Sequence, residues 1–378
     1  MIRGLLSLLA SAIVFLCAFP LCAEASGSES SAELDDIVSE VNERLSSAGG
    51  DDAGAFLKEQ DISAAKPQNI TTLSPKTVLS SVWDAFVSSL KAPVSMLGRL
   101  IAAAAVCVMI KGLAPSTGTQ SAFSTVSALV CMLIISDTLS GSLDELLKAL
   151  EGINSFMVTY IPVFAGLSTA SGHAASAAGY YSVMFFVCEI MAYAANKLLV
   201  PLISCVAALS LVSAMGPLLD LSKTAASIKS FVTKALGFIM LIFTFLVTVT
   251  GLTGNAADTV GTKAVRFAAS SFIPVIGGSV SEAYSAVRSS LGVIRTSVGA
   301  IGLITVFIIV LRPLMTVIAM KLAIGLAETV HRMFALESSS LVLSGMSSVL
   351  SIAMSIVIAY SLFFITATSV VMLTAAGG

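Results

Sequence analysis

Charged side chains are scarce in this chain. Asp, Glu, Lys and Arg together make up 11% of its 378 residues, against about 25% in soluble globular domains. The chain has two histidines and one tryptophan, and its net charge is −2. A nucleic-acid-binding protein normally shows a basic patch with interleaved aromatic side chains, and no such patch is present. This composition excludes nucleic acid as an expected partner.

Motifs of catalysis and of cofactor binding are also missing. No GxSxG, HExxH, Walker A or GxGxxG pattern occurs. The cysteines form no CxxC pair, and His173 and His331 lie far apart in sequence. Cysteines in apolar runs usually behave as small hydrophobic residues. We therefore expect no enzyme, no cofactor and no metal site.

What the chain has in abundance is apolar sequence. Hydrophobic residues make up 56% of it, and several apolar runs reach the ~20 residues that a helix needs to cross a bilayer core. The predicted fold is all-α, a polytopic helical membrane protein, with a multi-span domain over 93–378. Spans are expected near 95–113, 121–139, 153–171, 176–196, 198–217, 235–255, 296–312, 313–331 and 347–373.

The first 25 residues are predicted to be a secretory signal peptide. Arg3 supplies the positive charge, residues 4–17 form the apolar stretch, and Ala23-Glu24-Ala25 is an A-x-A cleavage site. The alternative is an uncleaved anchor helix, for which the apolar run is short.

Residues 26–92 form an acidic leader that differs from everything after it. Between Ser26 and Lys91 there are eleven acidic and five basic side chains. Two amphipathic helices are predicted, one ending at Gly49-Gly50 and one starting at Pro75, which fits the first helical position. An acidic segment behind a signal peptide is expected outside the cytoplasm. The leader is thus a short helical extracytoplasmic region.

The chain also contains an apparent internal repeat. The sequence IPVFAG at 161–166 recurs as IPVIGG at 273–278, an offset of 112 residues. The same offset lays Pro201-Leu202 over Pro313-Leu314. The repeat halves would be about 153–255 and 265–367, and many transport folds are built from such halves.

Segment 264–285 is ambiguous, because it is apolar but contains Pro274, Gly277 and Gly278. It could cross the membrane, which makes the repeats parallel, or be re-entrant, which makes them inverted. The sequence leaves both alternatives open, and with them the side of the membrane on which the C-terminus lies.

Few residues could carry a function within the membrane. Ionisable side chains at membrane depth are costly and often mark a site or a pair. Glu189 is expected either to form a structural contact in the bundle or to line a polar path. The prolines either kink helices or open them around a transported species. The candidate structural or conduit residues are Pro162, Gly166, Glu189, Pro201, Pro274, Gly278, Arg312, Pro313 and Lys321.

Two hydrophobic blocks carry a family resemblance. The block KAVRFAASSFIPVIGG at 263–278 resembles the most recognisable part of the stage III sporulation protein AE family of spore-forming Firmicutes. The run VPLISCVAALSLVS at 200–213 is similar to the family's other signature. The order of signal peptide, acidic leader and multi-span body agrees as well, and the resemblance covers most of 90–375.

The resemblance implies a non-enzymatic membrane subunit of a mother cell-to-forespore channel complex, required for endospore formation. Its implied partners are other membrane subunits, ring-forming subunits, the lipid bilayer and, indirectly, a secretion-type ATPase. The implied location is the mother-cell membrane around the forespore. The alternative from the internal repeat is a stand-alone secondary transporter or permease.

Overall fold

The computed structural model describes residues 32–63, 75–113, 117–193, 222–272 and 277–376, together with 197, 201, 204–206, 208–209 and 212. Every regular element within these ranges is a helix, which confirms the predicted all-α class. The predicted signal peptide at 1–25 and Pro274 lie outside the described residues.

Nine helices are continuous within the described ranges. They are α1 Ala32–Ala48, α2 Gly50–Glu59, α3 Pro75–Ser89, α4 Lys91–Leu113, α5 Thr117–Ala170, α6 Ala174–Tyr193, α7 Ser222–Phe272, α8 Gly277–Met333 and α9 Glu337–Ala376.

Five stretches within the described residues are long and apolar enough to cross a membrane. They are Val78–Gly112, Ala122–Ala170, Ala226–Ala268, Ser281–Met333 and Glu337–Met372. The chain is thus a multi-pass membrane protein. At 1.5 Å per residue, the 54 residues of α5 are about 80 Å long. A single hydrocarbon core is about 30 Å thick, so the longest helices extend well beyond what one crossing requires.

The predicted division into nine spans is wrong at two places, because α5 and α8 each join two predicted spans. In α5 the acidic side chains of 137–151 lie on the exposed face, while apolar ones continue the buried stripe. The stripe consists of Ile135, Leu139, Leu146, Leu150 and Ile153. Apolar residues that recur every three or four positions stay on one face of a helix, so the helix can continue through a segment that is polar on its other face. Pro313 likewise lies inside α8 and does not end it.

Helices α5 and α8 run antiparallel along most of their length. As the residue number rises in α5, that of its contact in α8 falls. The Cys131 sulfur contacts the His331 ring, and the Ser171 carbonyl accepts a hydrogen bond from Arg288. Between these contacts, an ideal Cβ at Gly152 would lie 3.6 Å from the Ile309 side chain. Tyr160 in α5 packs over Gly302 in α8, where the missing side chain makes room for the ring.

The hairpins α5–α6 and α8–α9 have the same turn at opposite ends of the α5–α8 pair. A residue with positive φ closes each turn, Gly172 at 83° and Ala335 at 52°. The next N–H returns to a carbonyl five residues back, from His173 to Ser168 and from Leu336 to His331, both at 2.9 Å. This is the Schellman pattern. The two hairpins therefore point in opposite directions.

The first two leader helices pack on the bundle. Leu45 in α1 and Ala53 in α2 are almost completely buried, and Leu45 belongs to the same apolar core as α5 and α8. An ideal Cβ at Gly49, between the two helices, would lie 2.8 Å from the Thr305 methyl group of α8. The leader, although acidic in composition, is therefore packed into the folded bundle.

Whether 264–285 crosses the membrane or is re-entrant stays a prediction. Residues up to Phe272 belong to α7 and those from Gly277 to α8, while 273–276 lie outside the described residues. Pro162, by contrast, lies inside α5. The sequence repeat at an offset of 112 stays a prediction, because its second Pro lies at 274, outside the described residues.

Close helix packing predicts opposite results for two glycines of α7. An ideal Cβ at Gly254 would lie 2.7 Å from the Ser176 Cα and 2.8 Å from its backbone nitrogen, whereas Gly237 has nothing within 4 Å. Gly254→Ala should lower the free energy of unfolding by about 1–3 kcal/mol through overpacking. Gly237→Ala should raise it by up to about 1 kcal/mol through helix propensity.

The measurement is unfolding of the purified protein in mixed micelles with increasing SDS. Equal effects of the two substitutions would show that α6 and α7 are not in close contact.

Candidate functional site

Those candidate structural or conduit residues that the structure describes do not converge on one place. Pro162 and Gly166 are exposed on α5, and Glu189 is exposed on α6 beside Phe185 and Phe186. Gly166 lines a shallow groove between α5 and α6, together with Ala174 and other small residues. Glu189 is thus on the outer face of the described helices.

The remaining candidates are distributed over α8 and its surroundings. Arg312 is exposed, Pro313 is partly buried, and the partly buried Lys321 donates a hydrogen bond to the hydroxyl of Ser351 in α9. Gly278 is in the first turn of α8, and Pro201 is helical and exposed. Lys321 therefore links two helices of the bundle.

A group of buried and partly buried polar side chains lies at the turn between α5 and α6. We call it the turn cluster, and it consists of His173, Ser176, Asp258, Arg288 and Arg295. These residues come from the turn itself, from the first turn of α6, from α7 and from α8. All but Arg288 are less than 9% exposed.

Asp258 joins α7 to the start of α6. Its two carboxylate oxygens accept hydrogen bonds from the backbone N–H groups of Ala175 at 2.7 Å and Ser176 at 2.9 Å. The first N–H groups of a helix have no partner within the helix, and a negative charge there is also favoured by the helix dipole. Asp258 therefore caps α6 from a neighbouring helix.

Arg288 joins α8 to the end of α5. Its Nε donates to the Ser171 carbonyl at 2.7 Å, and a terminal nitrogen donates to the Gly172 carbonyl at 3.4 Å. The other terminal nitrogen donates to the Thr262 hydroxyl at 2.6 Å. A cation suits the carbonyl end of a helix, so Arg288 and Asp258 together clamp both sides of the turn.

Arg295 and His173 occupy the buried side of the cluster. Burial, reinforced by the positive charges of Arg295 and Arg288, lowers the pKa of His173 from 6.5 to about 4. His173 is therefore neutral near neutral pH. Arg295 is 3% exposed, and it interacts electrostatically with Arg288, Asp258 and Tyr160.

The α8–α9 turn at the opposite end uses a similar arrangement. Lys111 of α4 donates to the Ala335 carbonyl at 2.8 Å, as Arg288 does to Gly172. His331 contacts the Cys131 sulfur at 3.4 Å through Nε2 and the Ala327 carbonyl through Nδ1. Cys131 and His331 are fully buried, so no solvent-borne substrate reaches this pair.

The chemistry available at both turns is that of hydrogen bonding and charge pairing. Among the described residues, no three His, Cys, Asp or Glu side chains lie close enough together to hold a metal ion. The contacts at both turns have a structural role, because they fix where the long helices end.

The sequence predictions missed the turn cluster. Asp258 was not among the candidate residues, yet it is 7% exposed and accepts hydrogen bonds from two backbone N–H groups. One available signal was the spacing of Arg288 and Arg295, which are seven residues apart and so share a helix face. A chain with so few charges gives such a pair added weight.

Comparison with known proteins points to one family. The family model described as stage III sporulation protein AE matches residues 60–375. The Stage III sporulation protein AE of Bacillus subtilis (strain 168) is 25% identical over 263 residues, covering 68% of this chain and 66% of that protein. The match thus spans slightly less than two thirds of the relative's length. No solved structure gives a significant match.

Removing the charge of Asp258 should weaken the clamp. Asp258→Asn leaves two arginines without their buried carboxylate, and we expect a loss of about 3 kcal/mol in the free energy of unfolding. Asp137→Asn makes the same chemical change on the exposed face of α5 and should stay within about 0.5 kcal/mol. Unfolding in mixed micelles measures both. An unchanged free energy of unfolding in Asp258→Asn would contradict the capping role.

His173 predicts a specific pH dependence of stability. Because its pKa is lower in the folded protein than the ordinary 6.5, the unfolded chain binds more protons between pH 6.5 and about 4. The stability that neutral His173 contributes is full above pH 6.5 and is lost as the pH falls towards 4. Thermal midpoints by circular dichroism should therefore fall less steeply for His173→Gln than for the wild type. Parallel curves would refute this assignment.

Proposed function

We propose that this chain, which belongs to the stage III sporulation protein AE family, is a membrane subunit of a mother cell-to-forespore channel complex. The observation that carries the proposal is the family match over residues 60–375. The membrane-competent helices support it, because a transenvelope channel needs a component fixed in the lipid. The chain is in this view an architectural part of endospore formation.

The bundle suits a scaffold on which other subunits assemble. Helix α7 presents a row of exposed apolar side chains, Phe231, Phe238, Leu241, Phe245 and Leu252. Such a face packs against lipid tails or against other membrane subunits. We propose membrane and ring-forming subunits as direct partners and a secretion-type ATPase as an indirect one.

The chain is proposed to contribute no catalysis of its own. The Cys131–His331 pair has the residue types of a nucleophile and its base, but both side chains have no exposed surface. In the turn cluster the Ser176 hydroxyl is a possible nucleophile, but it is 1% exposed and has no hydrogen bond to a base among the described residues.

The proposed location is the mother-cell membrane that surrounds the forespore, with the leader outside the cytoplasm. The acidic excess of residues 26–91 supports this orientation, because positive charges favour the cytoplasmic side. With that orientation, the leader would lie between the two membranes, where ring-forming subunits can reach it.

A stand-alone transporter is the second candidate, and one observation favours it. The hairpins α5–α6 and α8–α9 point in opposite directions and share the same turn. Oppositely oriented repeats are common in secondary transporters. The bundle would then need a substrate site near its middle.

Deletion of the gene tests the proposal. In the organism that encodes this chain, we expect the deletion to abolish heat-resistant spores and a plasmid copy to restore them. An affinity-tagged copy, purified from sporulating cells, should bring down membrane and ring-forming subunits.

Normal spore yield from the deletion strain would contradict a role in sporulation. Purification as a lone protein that transports a solute in liposomes would favour the transporter and contradict the subunit assignment.

A further inference from the structure

Two of the three nitrogens of the Arg295 guanidinium group have no hydrogen-bond acceptor. Arg295 is 3% exposed, and the two nitrogens are its Nε and one terminal nitrogen. Two neighbours in the turn cluster share this property, namely Nδ1 of His173 and the hydroxyl of Ser176. Buried polar groups are nearly always paired, so three side chains from different elements here point to a further group.

The charges of the turn cluster do not balance. Arg288 and Arg295 are positive, and His173 is neutral near neutral pH. Asp258 is the carboxylate in the cluster, and its charge acts on both Arg295 and His173. Both oxygens of Asp258 already accept backbone N–H groups. One positive charge therefore remains in a buried position, where unpaired charges are strongly disfavoured.

We propose that the turn cluster binds a small inorganic anion such as chloride. Arg295 would hold it through its two unpartnered nitrogens, and the Ser176 hydroxyl and the Nδ1–H tautomer of His173 would complete the donors. Buried water could satisfy the same donors, but it would leave the excess positive charge uncompensated. The charge is what favours an anion over water.

The surroundings of the site favour a small ligand. Each unpartnered atom has less than 1 Å² of exposed surface. The α6 and α7 backbones approach so closely that an ideal Cβ at Gly254 would lie 2.7 Å from Ser176. A lipid phosphate on its glycerol is too bulky to enter between helices this close, so the proposal is restricted to a single small ion. This inference does not depend on the proposed function.

Chloride should stabilise the folded protein if it binds there, because a ligand that binds only the folded state raises its stability. The probe is sodium chloride exchanged for sodium gluconate at constant ionic strength, with the full chain in detergent. A thiol-reactive dye reports thermal unfolding through the buried Cys107, Cys131 and Cys188, once the exposed Cys205 has been replaced by serine in every variant. We expect the midpoint to rise by several degrees and then saturate as chloride increases.

Variants identify the site. Arg295→Met should abolish the response to chloride, and Arg295→Lys should retain it at higher chloride. Ser176→Ala keeps the arginine and should shift the response to several-fold higher chloride, which covers the case in which Arg295→Met does not fold. Arg266→Met, at an exposed position of α7, should respond like the wild type.

Two results would overturn the proposal. One is a wild-type midpoint that does not depend on chloride, which would leave only water at Arg295. The other is a full chloride response in Arg295→Met, which would mean a general salt effect or a different site.

Discussion

Helices α5 and α8 lie antiparallel over about 40 residues, and the positions of the other elements depend on that contact. Small residues in α8 make it close: Gly302 lies under the Tyr160 ring, and its lack of a Cβ is what allows the approach. In a membrane the hydrophobic effect does not drive helices together, so such close packing supplies much of the association energy. The ends of this pair determine where both hairpin turns lie, and therefore where α6 and α9 begin.

Both ends of the pair are closed by charges from other helices. Arg288 and Asp258 act at the α5–α6 turn, and Lys111 acts at the α8–α9 turn. A helix end that is buried in protein must satisfy its backbone groups without water. Although only 11% of the residues are charged, several of them lie where the backbone groups of a helix end need hydrogen-bond partners. This requirement explains their positions better than a role in lining a conduit does.

The leader helices are also held by contacts with the long helices. Its acidic composition suggested a separate module, yet Leu45 and Ala53 belong to the buried part of the fold. Leu45 packs into the core of the bundle, and Gly49 lies against Thr305 near the middle of α8. The channel proposal gains from this, because a docked leader offers extramembrane partners a fixed surface.

Much of the fold was predictable from sequence. Hydrophobic runs and low charge determine an all-α membrane protein, since only helices satisfy the backbone in lipid without strand partners or a closed barrel. The end of α1 at Gly49-Gly50 was likewise predictable from local conformational preference. The 263–278 and 200–213 blocks were enough to identify the family resemblance. The division of α5 into separate spans was wrong because hydropathy registers a polar stretch but not the helix face on which it lies. The division of α8 was wrong because Pro313 does not end that helix.

The turn cluster depended on tertiary structure. His173, Asp258 and Arg295 are separated by up to 122 positions in the chain, and nothing local relates them. The sequence by itself determined the class of protein, the helical segments and the family, because these follow from composition and short-range periodicity. Only the tertiary structure decided which charges meet, since that depends on the antiparallel register of α5 with α8 and on the docking of α7 against α6.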